Sequence, residues 1–215
     1  MNTLVPDYSR RDFLKKSSFA AAGTLSFIAM PLMGASCSPV QDELNIVGPK
    51  AGYAPQIGTL VSMMNWMRSI VEQELHGLEQ EQLDFLIDDK ANSIGAMLLH
   101  LAATERFYQI HTFEGKNWGD WSREDQNRWG VASGLGNRAR MMIKGNDISY
   151  YLDALDEVRS HTLNELKKRD DDWLLKVDNN WGWGPTNAYC KWFHVVEHES
   201  NHNGQIKFIK ARMPS

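Results

Sequence analysis

Apolar residues return every three or four positions in four stretches of the chain, the period of a helix that buries one face. The first stretch runs from Ile57 to about Leu78 through Leu60, Met63, Met64, Met67, Ile70, Val71 and Leu75. The second, Ser93 to Phe113, carries Ile94, Met97, Leu98, Leu101, Phe107, Tyr108 and Ile110, with Ser93 placed to cap its start. The third begins behind Asp147 and passes through Tyr151, Leu155, Val158 and Leu163 to the charged stop Lys167-Lys168-Arg169-Asp170. The fourth follows Gly184-Pro185 and holds Trp192, Val195, Val196, Ile206 and Ile209. No segment alternates convincingly with period two and no internal repeat is visible, so the pattern predicts an all-α fold, a four-helix bundle over residues 55–212. About 34 residues rich in Gly, Trp and Arg separate Phe113 from Ile148. A connection of that length suits a long crossover between helices two and three, which would let these two run parallel.

The segment ahead of the bundle reads differently. Arg10-Arg11-Asp12-Phe13-Leu14-Lys15-Lys16 precedes a mildly apolar run from Ser17 to Leu32, an order that resembles a twin-arginine export signal over residues 1–36. The run is too short, and too rich in Ala, Ser and Gly, to span a membrane. Cys37 follows Gly34-Ala35-Ser36, which leaves two readings open: lipidation of Cys37, giving membrane attachment, or simple cleavage nearby. Both put the domain outside the cytoplasm, in the periplasm or cell envelope. Residues 37–54, with Pro39, Gly48, Pro49 and Gly52, read as a linker.

Composition narrows the function classes. The chain has 215 residues, 42% hydrophobic and 23% charged, and a formal charge of −4. No basic stripe with interleaved aromatics occurs, which argues against nucleic acid as a partner. With Cys37 modified or removed, Cys190 stands alone and no internal disulfide can form. Bundles of this size often associate, so a homodimer is compatible with the sequence.

The chemistry concentrates near the C-terminus, in His194-Val-Val-Glu-His198-Glu-Ser-Asn-His202. Three imidazoles four residues apart on a helix share one face. Two of them, on adjacent turns, can reach one metal ion. All three cannot, because i to i+8 spans about 12 Å along the axis while metal–nitrogen bonds are near 2 Å. The pair is therefore His198 with His202 or His194 with His198. Imidazole ligands suit divalent transition metals without selecting one.

Leu99-His100-Leu101-Ala102-Ala103-Thr104-Glu105-Arg106, taken with His198-Glu-Ser-Asn-His202-Asn-Gly204-Gln205-Ile206, resembles the DinB-like superfamily, which includes thiol-dependent S-transferases and isomerases. The resemblance covers roughly residues 55–212. It implies a four-helix bundle with a divalent metal, Zn or Ni, held by one His of helix two and two of helix four, here His100, His198 and His202. His194 would then lie behind the ligands at most, and Glu105, about 140° around the helix from His100, could orient a ligand but not share the ion.

Plainer assignments are expected elsewhere. Glu197 and Glu199 point to neighbouring helices or solvent; His76, His111 and His161 are surface residues; Cys190 is a small buried residue. Trp118, Trp121, Trp129, Trp173, Trp181 and Trp183 pin long loops to the bundle rather than form an aromatic pocket. Two function classes follow: a metal-dependent thiol transferase or hydrolase-type enzyme acting on a small-molecule substrate, or a non-catalytic metal-binding or interaction protein of the cell envelope.

Overall fold

The computed structural model describes residues 44–214, so the export signal, Cys37 and the first part of the linker lie outside the described residues. Four long helices dominate: α1 (Pro55–Gln73), α3 (Ile94–Thr112), α6 (Ile148–Leu166) and α8 (Ala188–Lys210). Between them lie α2 (Gln80–Asp84), α4 (Arg123–Gly134), α5 (Gly136–Met142), α7 (Asp171–Leu175) and a two-residue antiparallel pair, β1 (Val177–Asp178) with β2 (Thr186–Asn187). The all-α expectation is met, apart from that ladder, which is too short for any alternation to register. None of the described helices is long and apolar enough to cross a membrane.

Local chemistry sets the helix starts. Ser93 Oγ accepts from Ala96 N, Asp147 from Tyr150 N and Asn187 from Cys190 N, each satisfying a backbone donor that the first turn leaves free. The start of α1 has Ala54 at its cap position, and the missing acceptor comes from elsewhere in the chain. Asp171 of α7 takes Gln56 N at 3.0 Å and Ile57 N at 3.2 Å. At this helix end a remote carboxylate serves as the cap and meets the positive pole of the helix dipole.

Side-chain pairings give the helix directions. Early α3 meets early α6 at Gly95 and Tyr151, and later positions meet at Glu105 and Arg159 and at Gln109 and Thr162. Helices α3 and α6 therefore run parallel, as the long crossover predicts. A Cβ on Gly95 would fall 2.5 Å from the Tyr151 hydroxyl, so glycine is what allows this close approach. Helices α1 and α8 are also parallel to each other, through Arg68 with Glu199 and Glu74 with Lys210. They oppose α3, where His100 faces His198 and Tyr108 faces Trp192. The crossover is not an irregular loop. It folds into α4 and α5, which bury Trp129, Ala132 and Ala139 against α3 and α6.

The apolar interior has two parts. One joins α3, α4, α5 and α6 to the ends of α1 and α8, with Val71, Leu155 and Ile206 among its members. The other joins the start of α1 to the start of α8 through Leu60, Met64, Trp192 and Val195. A buried polar layer lies between them, with one charged residue from each long helix. Arg68 Nη2 donates to Glu105 Oε2 at 3.0 Å and to Glu199 Oε1 at 2.6 Å. Arg159 donates through Nε to Glu105 Oε1 at 2.9 Å and through Nη2 to Glu199 Oε1 at 2.8 Å. Remaining guanidinium protons reach backbone oxygens: Arg68 Nη1 meets Leu155 O, and Arg159 Nη1 meets Met64 O.

Glu105 is wholly buried, and desolvation alone would raise its pKa. The two guanidinium groups outweigh that and hold its carboxyl below the usual range. Removing one member strands a buried charge, which costs about 3–5 kcal/mol. Arg159→Ala should therefore lower the melting temperature by about 10 °C or more in a domain of this size, read by thermal unfolding. A fall of only a degree or two would show that the layer contributes little to stability.

Candidate metal centre and its cleft

His100 projects from the middle of α3, and His198 and His202 from successive turns of α8, which crosses it in the opposite direction. One ring nitrogen from each lies within 4.8 Å of the other two. The Nε2 atoms of His100 and His198 are 2.8 Å apart. His202 packs edge-on against both rings, with centroids 5.1 Å from His100 and 4.6 Å from His198. These are the three residues that the family resemblance implied as ligands.

Two of the rings are held from behind. His100 Nδ1 lies 2.9 Å from Ala132 O near the end of α4, and His202 Nδ1 lies 3.0 Å from Gln205 Oε1 one turn on. Donating Nδ1–H to an oxygen selects the tautomer whose lone pair is on Nε2, the nitrogen free to ligate. The crossover therefore orients a ring of the triad through Ala132. Just beyond that carbonyl the chain turns through Leu135, whose φ of +48° is the only left-handed value among the described non-glycine residues.

Burial keeps the rings neutral. It pushes His100 down from its ordinary pKa, against the pull of backbone acceptors at Ala132 and Ser133. Burial and the neighbouring imidazoles of His202, His100 and His194 push His198 down to about 3. Burial and His100 push His202 down to about 4. Three neutral imidazoles with converging lone pairs, two of them oriented by oxygens behind, are a donor set that fits a divalent transition metal.

His194 stands one turn before His198, with ring centroids 5.4 Å apart, and its Nδ1 lies 3.1 Å from Glu197 Oε2. Glu105 does not support the ligands. Both its oxygens are taken up by Arg159 and Arg68, because α3 turns it toward α1 and α6. Glu199 likewise faces neighbouring helices. His76 and His161 are exposed as expected, but His111 is half-buried beside Lys191, whose Nζ lies 2.8 Å from His111 Nε2 and 2.7 Å from Asp178 Oδ2. Cys190 is exposed, not buried, because it sits in the first turn of α8.

Two members of the triad, His100 and His198, line a cleft of about 760 Å³, with the buried His202 behind them. Along α3 the cleft is lined by His100, Thr104, Phe107, Tyr108 and His111, a single stripe at i, i+4, i+7, i+8 and i+11. That stripe was present in the sequence as a signal for Thr104, Tyr108 and His111. The loop tryptophans divide into two groups. Trp129 is buried and Trp173 stacks on Phe113, which is the pinning role expected of them. Trp118, Trp121, Trp181 and Trp183 line the cleft, which makes it the aromatic pocket that the plainer reading set aside. Lys191 Nζ sits 4.3 Å over the Trp181 ring and fixes that wall. Arg68 and Arg159, also missed, had a signal of their own: each interrupts an apolar helical stripe, Arg68 between Met64 and Val71 and Arg159 between Leu155 and Thr162.

Fold and side chains together define a DinB-like helical bundle whose histidine triad could hold a metal ion. The chain belongs to the mycothiol-S-transferase family, whose profile matches residues 59–214. The fold is similar to the crystal structure of a conserved protein from Enterococcus faecalis, with a TM-score of 0.54 and 14% identity, over 70% of this chain and 92% of that one. No curated protein matches the sequence.

Two expectations concern the triad. In the metal-free protein, His198 and His202 titrate below the ordinary value of 6.5, so between about pH 6.5 and 4 the folded state binds fewer protons than the unfolded state. Stability from keeping these rings neutral is therefore complete above pH 6.5 and is lost as the pH falls toward 4. Urea unfolding of wild type and His198→Leu across this range checks it: the wild type should lose more stability on acidification, and parallel curves would contradict the shift. Gln205→Ala removes the acceptor behind His202 and should weaken metal binding about 10- to 100-fold, read by competition with a chelating dye.

Proposed function

We propose that this protein is a metal-dependent thiol S-transferase in which His100, His198 and His202 hold a divalent transition metal, zinc or nickel, through Nε2. The observation that carries the reading is the convergence of three buried imidazoles, two of them oriented by oxygens behind, beside an aromatic-walled cleft in a chain of the mycothiol-S-transferase family. Such an ion, when bound, supplies a Lewis acid with positions left open by the three protein ligands, and lowers the pKa of a bound thiol or water.

The chain's own residues account for the rest. Ala132 O and Gln205 Oε1 hold His100 and His202 in the tautomer with its lone pair on Nε2, so only His198, whose Nε2 lies 2.8 Å from that of His100, must move a proton before a metal is bound. Trp118, Trp121, Trp181 and Tyr108 form apolar walls beside the triad and leave room for a low-molecular-weight thiol together with its acceptor. The thiol sulfur belongs at the triad end and the carbon that receives it faces it from the cleft.

Elemental mass spectrometry on the untagged full chain, paired with transfer from a low-molecular-weight thiol to a fluorogenic electrophile, tests the reading. The wild type should bind one transition-metal ion per chain and accelerate transfer. His198→Ala and His202→Ala should lose the ion and at least about 100-fold in rate. A folded wild type that takes up neither zinc nor nickel would sink the metal site, and metal uptake without transfer would sink the transferase.

A further inference from the structure

The thiol S-transferase reading leaves open what receives the sulfur, and the cleft carries information on this. Trp118 and Trp183 are 45% and 57% exposed, a large apolar area to leave in water beside a catalytic centre. They differ from the tryptophans that serve packing. Trp121 stacks flat on Phe107, centroids 3.7 Å apart at 9°, and Trp173 lies at 25° to Phe113. Trp118 instead meets Trp181 at 85° and Trp121 at 79°, and Trp183 meets Trp181 at 88° and His194 at 82°. Among the described residues no ring lies parallel to either indole. Crossed rings of this kind form slots in which a flat molecule can stack on one indole while meeting the edge of another.

Position and charge narrow the occupant. Trp183 touches His194, which touches His198, so a ring lying on Trp183 is two side chains from the triad. The one Asp, Glu, Lys or Arg side chain in the lining, Asp178, is paired with Lys191 at 2.7 Å. Away from the triad, the cleft wall therefore offers no unpaired charge to an ionic acceptor.

We propose, resting on the S-transferase reading, that the acceptor is an uncharged, flat, conjugated electrophile of the enone or quinone class, held by stacking on Trp183 and Trp118. Addition then balances without a co-reactant. The S–H bond breaks and an S–C bond forms at the β-carbon. The C=C pair moves toward the carbonyl, and the proton released from sulfur ends on the α-carbon or the oxygen, with no leaving group and no net change of oxidant or reductant.

Calorimetry with two unreactive probes of matched size, flat 2-naphthol and its puckered saturated analogue 2-decalol, tests this on the full chain. Wild type should bind 2-naphthol at least about tenfold more tightly than 2-decalol. Trp183→Ala and Trp118→Ala should each weaken 2-naphthol about tenfold, with Trp183→Phe restoring most of the loss and all variants keeping the wild-type melting temperature within a few degrees. Equal affinity for the two probes, or tryptophan variants that lose stability but not 2-naphthol affinity, would overturn the proposal and return these rings to pinning loops. The two readings fail separately. Flat-probe selectivity in a wild type that shows no transfer sinks only the transferase. Transfer to a small aliphatic enone with no preference for the flat probe sinks only the stacking site.

Discussion

The polar layer of Arg68, Glu105, Arg159 and Glu199 is the constraint on which the rest of this bundle depends. Each long helix contributes one charge, each carboxylate is shared by both guanidinium groups, and the layer separates the two apolar clusters. Apolar ridges tolerate small slides because one methyl group substitutes for another. A buried charge does not, since a slide that strands it costs several kcal/mol. Glu199 follows His198 directly and Glu105 lies five residues beyond His100, so the two arginines that hold the glutamates also hold α3 and α8 in axial register. Moving α8 by one residue would shift its histidines by about 1.5 Å and turn them by about 100° away from His100. The layer contributes no ligand, yet it decides whether the ligands meet.

Much of this was readable along the chain, for local reasons. The long helices follow from apolar period, and the starts of α3 and α6 from Ser93 and Asp147, because capping is chemistry between residues three apart. The parallel run of α3 and α6 follows from the length of what joins them. What could not be read depends on contacts between distant segments. Glu105 was a candidate partner for the ligands until Arg68 and Arg159, 37 and 54 positions away, gave it a different place. His111 read as surface because Lys191 and Asp178, which enclose it, lie on α8 and on a ladder of two residues. The aromatic wall was invisible for the same reason, since its rings come from the crossover, from α3 and from the turn between β1 and β2.

The crossover shows how a long connection can be more than a tether. Its helix α4 packs Trp129 and Ala132 into the interior, and the Ala132 carbonyl reaches the back of His100. Ahead of α4, Trp118 and Trp121 turn onto Phe107 and Tyr108 of α3 and form one side of the cleft. One segment therefore sets both the tautomer of a ligand and the shape of the space in front of it. A change in crossover packing would act on the His100 ring and on the cleft wall together.

Burial of the triad and the aromatic character of the cleft serve the same chemistry. An imidazole competes for metal only when deprotonated, and in water a histidine near pH 6.5 is half protonated. Burial that moves His198 to about 3 and His202 to about 4 removes that competition throughout the neutral range. A more polar cleft would admit water and relax the burial that holds the histidine pKa values down. The tryptophans and the histidines are in this sense one site: the apolar rings of the cleft wall adjoin the buried surroundings that keep His198 and His202 neutral.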